Sequence, residues 1–561
     1  MNYLDKVKEK EAEFSALYSR MDKDRDLLNL VKYVMKDAGE KNAVPDIVNV
    51  TLNIPGRFAN DVTAILGTAK EQVIVETEDK NLDTAYIEDF QRAAFASANA
   101  RLRRQGLWDL NPWFDFHSSV RGGCAARCIF QIVDGVLVAE IAPWDIRYFT
   151  YGVGVEGLGW GAFKTTKTKD DVESQTWAKE IEFAISGKEA EVLDVWDTEH
   201  NEVWVAGKQV FEQEHSFGFC PVVIQRVTLG SMLADKDSLA HQGESIFFLI
   251  REAVPELERL VSIMQTLNLK AVKGPKGWAS KEGQTATPPD YEEVMASGSM
   301  TAQDIGGGVS DINFGDAQRS AQLAYSIMSE AIREATAAAF DLGVIESPPA
   351  SGVRAMVAGE SRDQLLSPRL GTKAFMNQGL ADMFTAQVIQ IGKTQGVSSV
   401  ELGTPGHKRT FQVSKLGGAY ETHYKYIIKS AAVDAGRASL AAAYGNLIPD
   451  RAKRVEILQR EDPDGDERQL RWEEAEQISP AIRINRIIRD LLEMAERGDK
   501  HAEFEAELLS AEMGVNLKQM LAGEVMQQPK PERTQEPKQV LSLFGGGGAA
   551  RRPRTIPEEE E

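Results

Sequence analysis

The chain has 561 residues, 42% of them hydrophobic and 8% aromatic, enough for a sizeable core and, by length, for roughly 2–4 domains. No apolar run reaches the ~18 residues of a membrane span, the mean hydropathy is −0.31, and Met1–Arg20 is too charged for a secretory signal, so a soluble cytoplasmic setting is expected. With 64 basic against 85 acidic residues the net charge is −21, which excludes a generally basic, phosphate-gripping surface. That charge fits either an ordinary acidic protein or a surface that stays beside nucleic acid without holding it.

Tyr3 to Asp37 places Leu17, Met21, Leu27, Leu28, Val31, Val34 and Met35 near three-to-four spacing, which predicts helix, and Pro45 and Pro55 predict interruptions. From there to about Arg226 short strands are expected, with one helix at Tyr86–Arg104. The strands are Glu71–Glu76, then a hairpin of Ala126–Val133 and Val136–Ile141 across Asp134-Gly135, then Glu191–Trp196, Glu202–Val205 and Gln209–Glu214. After Pro221–Val227 the pattern turns helical. Ala240–Leu267 reads as helix, kinked or restarted at Pro255, with a stripe of Leu257, Leu260, Val261, Met264 and Leu267. Asn268–Gly315, rich in Gly, Pro, Ser and Thr, predicts a long irregular insert of the kind that carries function. An alanine-crowded helix at Asp316–Phe340 is followed by a loop at Asp341–Gly352 and a long helix from Val353 to Gln390. Short strands are expected at Arg409–Val413 and Tyr424–Ile428, then helix from Asp434 to about Leu521 with a turn at Glu461–Asp466. Beyond Pro529 the composition is that of a disordered tail, and no internal repeat occurs.

Catalytic motifs fail one by one. Gly152, Gly154 and Gly157 spell G-x-G-x-x-G, but Trp160–Thr168 reads as a strand where a dinucleotide site needs a helix. Gly392-Lys393-Thr394 lacks the upstream P-loop glycine, Gln387 standing there, and a helix precedes it; Gly392 reads instead as a helix C-cap. Cys124, Cys128 and Cys220 are too few for a disulfide framework and lack zinc-ligand spacing, so they read as core fillers in a reducing compartment. Glu473, Glu474 and Glu476 read as a solvated helix face. No catalytic residue, metal ligand or cofactor is expected.

The order of parts is more informative than any motif: mixed strands, helix, irregular insert, helix, loop, long helix, strands, helical C-terminus. This order resembles that of the portal (head–tail connector) proteins of tailed bacteriophages. Ala142–Trp160 (APWDIRYFTYGVGVEGLGW), His215–Val227 (HSFGFCPVVIQRV) and Ser351–Gly359 (SGVRAMVAG) look like that family's wing turn, stem-entering strand and long-helix start. The resemblance covers about Ala43–Asp434. It implies an α+β, portal-like subunit with a mixed α/β wing, a two-helix stem, an irregular clip, a long wing helix and a helical crown. Residues 1–42 would precede the wing at 43–228; the stem helices would be 229–267 and 316–340 around a clip at 268–315. A tunnel loop at 341–352, wing elements at 353–433, a crown at 434–525 and a tail at 526–561 complete the assignment.

The resemblance also implies partners. These are a homo-oligomeric ring of twelve copies, the terminase large subunit, head–tail adaptor and tail proteins, major capsid and scaffold proteins, and double-stranded DNA passing non-specifically. No membrane is involved, and the setting would be the capsid portal vertex of a virion assembled in the host cytoplasm. In the tunnel loop Asp341, Glu346, Ser347, Pro348, Pro349 and Ser351 would face DNA, with no base before Arg354. In the clip, Lys270, Lys273, Lys276 and Lys281 form a basic half, and Asp290, Glu292 and Glu293 belong to an acidic one. The halves either meet between neighbouring subunits or terminase, or pair within one subunit, or sit solvated. The alternatives are another virion structural protein without a DNA channel (a scaffold or adaptor), a metal-dependent nuclease, or a cellular scaffold.

Overall fold

A computed structural model describes residues 2–37, 39, 42–79, 82–133, 136–155, 157–175, 188–233, 235–272, 276–279, 308–311, 317–335, 352–404, 406–428, 431–458, 460, 463–478, 483, 486–488, 490–491 and 500–512. The fold is α+β, as expected, and divides into two compact units, Met1–Glu467 and Arg468–Glu561.

The N-terminal segment forms two helices, α1 (Tyr3–Glu13) and α2 (Ser15–Leu28), and stops earlier than its periodicity suggests. Leu30 takes φ +50, and the Val31 N–H reaches back to the Asp26 carbonyl at 3.0 Å, the six-to-one bond of a Schellman end. Val31, Val34 and Met35 therefore lie in extended chain. The strand-rich reading of the next stretch misses two helices, α3 (Ile54–Gly67) and, after β1 (Ala69–Glu76) and α4 (Thr84–Arg104), α5 (Leu110–Val120). Pro55 and Pro112 sit in the first turns of α3 and α5. There a missing N–H costs nothing and the fixed φ already suits a helix, so these prolines start helices.

The strands follow the expected hairpins. β2 (Gly123–Val133) pairs antiparallel with β3 (Val136–Trp144). β4 (Phe149–Val153), β5 (Leu158–Thr168), β6 (Glu189–Asp197), β7 (His200–Val205) and β8 (Lys208–Glu214) form a five-stranded antiparallel sheet, α6 (Lys169–Glu173) following β5. The glycine motif is a turn, with Gly154 N–H on the Gly157 carbonyl at 2.7 Å and β5 following it. β9 (Val222–Arg226) pairs with the first half of β2.

The helical hairpin of α7 (Ala253–Val272) and α8 (Ala317–Ala335), with β10 (Lys276–Ala279) and β11 (Gly308–Asp311) between them, comes next. Ala240–Glu252 is mostly turn and 3₁₀ structure. Pro255 lies in the first turn of α7, so the helix begins there and is not kinked. The insert is not wholly irregular, since α7 runs to Val272 and β10 pairs with β11.

Helix α9 (Gly352–Gln395) carries the core of the first unit. Phe384 stacks on Phe130 of β2 (centroids 5.0 Å apart) and meets Phe90 of α4 edge-on at 6.0 Å. β9 stops before it can pair with the second half of β2, and the Gln387 side-chain amide takes over. Its Oε1 accepts from Phe130 N–H at 2.7 Å and its Nε2 donates to the Cys128 carbonyl at 2.8 Å. Lys373 meets Asp115 of α5 at 2.8 Å with both side chains buried; burial pushes the Asp115 carboxyl up while Lys373 holds it back. Gly392 is not a C-cap. It lies inside α9, where a Cβ would come within 2.7 Å of Val413, and Gly396 at φ +69 follows the helix end.

β12 (Ser399–Thr404), unforeseen in the sequence, pairs with β13 (His407–Gln412), and β14 (Glu421–Ile428) returns to pair with β1 along its full length. The C-terminal helical region breaks earlier than its expected turn. α10 (Ala431–Tyr444) ends at Gly445 (φ +45), and Pro449 follows. The turn expected at Glu461–Asp466 is already helical from Pro463, where α11 (Pro463–Ile478) begins. In the second unit Arg486 donates to the Trp472 carbonyl at 3.3 Å and lies over the Trp472 ring, and α12 (Lys500–Glu512) follows. The tail expected from Pro529 lies outside the described residues.

Candidate functional site: the helical hairpin and its charged root

Helix α8 has two apolar faces. One, with Ala321 and Ile332 buried and Met328 and Ala335 beside them, packs toward α7 and the core. At ~100° per residue, Leu323 and Ile327 lie roughly opposite, one turn apart, and remain 64% and 61% exposed. Leu269 near the end of α7 is half exposed as well. An amphipathic helix needs one apolar face to dock, so the second is available to another surface.

The inward face of α7 is unexpectedly polar. Glu258, Ser262 and Thr266, one per turn, accept from the backbone N–H groups of Leu52, Val50 and Val48 at 2.9, 2.9 and 3.0 Å. The match is metric: four helical residues rise ~6 Å, and two extended residues advance ~6.6 Å. The two hydroxyls donate in turn to the Glu258 and Ser262 carbonyls at 2.7 Å, so each is satisfied twice. On the other side of the strap, Asn49 and Thr51 accept from Met35 and Tyr33 N–H at 2.8 and 2.9 Å. Val48, Val50 and Leu52 are thus stitched to α7, and Tyr33 and Met35 to the same strap, by side chains.

At the base of α7 lies a buried charge cluster. Arg251 binds Asp24 of α2 (Nε–Oδ1 2.6 Å) and Glu244 (Nη2–Oε2 2.6 Å), and both carboxylate side chains are fully buried. Arg20 adds its charge to Glu244 at 3.3 Å and donates to the Gly243 and Arg121 carbonyls at 2.9 and 3.0 Å. Burial pushes Asp24 up despite Arg251. Burial also raises Glu244, but Arg251, Arg20 and His241 outweigh it and hold that carboxyl below the usual range. Arg121 continues the network to the Met21 carbonyl (2.7 Å) and Asp145 (3.1 Å). Three elements distant in sequence meet here: α2, the start of β2 and the segment that opens the hairpin.

His117, buried against Trp113 with ring centroids 4.3 Å apart, stands 3.9 Å from Asp145. Burial pushes its pKa down to about 4, Asp145 opposing and Arg121 reinforcing the fall. Below ~6.5 the unfolded chain binds a proton that the folded chain refuses, so stability drains away as pH falls from there toward about 4. Replacing His117 with Phe, which keeps a ring against Trp113, is expected to flatten the fall in Tm across that window. Equal slopes for the two proteins would remove His117 from the acid response.

Of the site residues expected from sequence, Lys270 lies in the last turn of α7, and Lys276 in β10 is registered opposite Asp311 of β11 in the same chain. Lys273, Lys281, Asp290, Glu292 and Glu293 lie outside the described residues, as do the tunnel-loop residues Asp341, Glu346, Ser347, Pro348, Pro349 and Ser351. Cys124, Cys128 and Cys220 are buried core residues, and burial pushes the Cys220 thiol up to about 12. Among the described residues no group of three or more His, Cys, Asp or Glu is placed to hold a metal, and no helix is long and apolar enough to cross a membrane.

No protein-family model and no curated protein matches the chain. Among solved structures it is similar to a chain of the virion of a native gene transfer agent particle, with TM-score 0.37 and 12% identity over 72% of this chain and 89% of that one. It is similar, too, to chains in the neck of an empty particle computed with C6 symmetry (TM-score 0.37, 10% identity, 72% and 90% covered) and in the neck of a native particle computed with C12 symmetry (TM-score 0.36, 13%, 72% and 89%).

Proposed function

We propose that the chain is the subunit of a ring, the portal of a tailed phage or phage-like particle, through which double-stranded DNA is packaged and later released. The observation that carries this is the second apolar face of α8 at Leu323 and Ile327, on a hairpin held rigidly to the body by the strap and the charged root. A hairpin that packs inward on one face and exposes a second apolar stripe suits side-by-side closure of identical copies, in which each contributes two different faces. The order of elements supports the same reading. α7 and α8 would be the stem, 268–315 the clip that meets terminase and later the adaptor or tail proteins, and 341–352 the loop toward DNA. The strand-rich body would be the wing and the helical C-terminus the crown, set among capsid and scaffold proteins. The protein would be no enzyme and need no cofactor, the motor ATPase being terminase, and its place would be the capsid vertex after assembly in the host cytoplasm. A net charge of −21 per copy, repeated around a ring, would repel phosphate and keep passing DNA from sticking.

Changing Leu323 and Ile327 together to Asp tests this. The wild-type chain is expected to sediment as a large closed assembly, and the variant as a folded subunit of 61.9 kDa with unchanged far-UV circular dichroism. Assemblies of undiminished size from the variant would contradict the role given to this face.

A further inference from the structure

The chain carries an exposed apolar tongue and an apolar groove. The tongue is the segment after β9. Met232 and Leu233 are 85% and 64% exposed at its tip. Its base is held by three contacts: a bridge between Gly230 and Gln242, Ser231 N–H on the His241 carbonyl (3.1 Å), and Glu244 N–H on the Leu229 carbonyl (3.1 Å). Gly230, at φ +94, lies so close to the His241 carbonyl that a Cβ would come within 2.0 Å of it. The base of the tongue is therefore fixed. Lys236, just past the tip, makes no ion pair among the described residues.

The groove, of about 670 Å³, runs between the five-stranded sheet, β9 and α9. Its walls are mainly apolar and include Leu158, Phe219, Ile224 and Met383. Arg226 stands on its wall, occupied by the Tyr151 hydroxyl at 3.1 Å. Asp382 lines the groove too and makes no ion pair among the described residues; burial pushes its pKa up to about 6, Glu421 adding to the rise and His423 opposing it.

One polypeptide thus presents an adaptable Met-Leu tip followed by a lysine, and an apolar trough edged by a carboxyl, neither of which makes an ion pair among the described residues. The two match each other in polarity and in charge. We infer that the Met232–Leu233 tongue of one copy seats in the Leu158/Phe219/Met383 groove of the next, with Lys236 against Asp382. This contact rests on the ring reading, and it adds to the hairpin a second, body-level interface that sets the direction of travel around the ring.

The test uses the full chain with Met232→Cys and Met383→Cys, with each single variant as control and Ala386→Cys as an alternative groove position should Met383→Cys fail to fold. The native cysteines are buried and poorly reactive, Cys220 in the groove wall included. Under mild oxidation the double variant is expected to give a ladder of covalent multimers on a denaturing gel, and the single variants none. Rings visible by microscopy without a ladder from either groove position would overturn the tongue-in-groove contact and leave the ring reading standing. Absence of rings from the untreated wild-type chain would overturn the ring reading itself. In the charge arm, Lys236→Asp is expected to lower ladder yield several-fold, and adding Asp382→Lys to restore it. No loss on the first change, or no recovery on the second, would remove the charge pair from the contact.

Discussion

Replacing Arg251 with methionine is expected to destabilise the first unit by about 3–5 kcal/mol, a large share of the marginal stability of a folded domain. The change leaves Asp24 and Glu244, both fully buried, with one guanidinium between them, that of Arg20 at 3.9 Å from one and 3.3 Å from the other, beside the His241 ring at 2.7 Å from Glu244. Burial already pulls the Arg20 pKa down to about 10, so that group is poorly placed to carry both carboxylates. Urea denaturation followed by tryptophan fluorescence measures the loss. A triple variant that also changes Asp24 to Asn and Glu244 to Gln is expected to recover part of it, because the cost lies mainly in unpaired charge. A single variant as stable as wild type would show that water reaches the cluster and that the root is not a rigid joint.

A comparable loss, about 4 kcal/mol or more, is expected from Gly122→Ala. Gly122 has φ +76, where a side chain is strained, and its Cβ would fall 1.8 Å from the Gly243 carbonyl oxygen. The relation is mutual: Gly243 has φ +66, and its own Cβ would lie 2.4 Å from the Gly122 oxygen. Both obstacles are backbone, which cannot swing aside as a flexible side chain would. The same substitution at Gly371, inside α9 with nothing within 4 Å of its Cβ, is expected to stabilise by about 0.5–1 kcal/mol through helix propensity. Opposite signs of the Tm shift at the two positions are the expected outcome; equal shifts would mean that the contact between the two glycines does not constrain the joint.

How much of this was readable from the chain alone follows from the range over which each interaction acts. The β2–β3 hairpin and the strands from Glu189 to Glu214 were legible because alternation and turn residues act between neighbours. Helices α3 and α5 are not, because a proline alone does not say whether it breaks or starts a helix, and Pro55 and Pro112 both sit in first turns. The same ambiguity at Pro255 was resolved toward a helix start. The ladder on α7 had a signal that went unused: Glu258, Ser262 and Thr266 recur every fourth residue within an apolar stripe. The charged root had none, since Arg20 and Asp24 meet Glu244 and Arg251 across more than two hundred residues of intervening chain. Likewise no local pattern marks Leu323 and Ile327 as exposed, because only the packing of α8 on its other face decides which apolar stripe is left over.

The central claim is that copies of this chain close into a ring around a channel. Native mass measurement of the purified protein, with class averages viewed down the symmetry axis, tests it most directly. The expected result is one closed species whose mass is a fixed multiple of 61.9 kDa and whose averages show a central hole wide enough for duplex DNA. A species that stays at one or two times that mass when concentrated would contradict it.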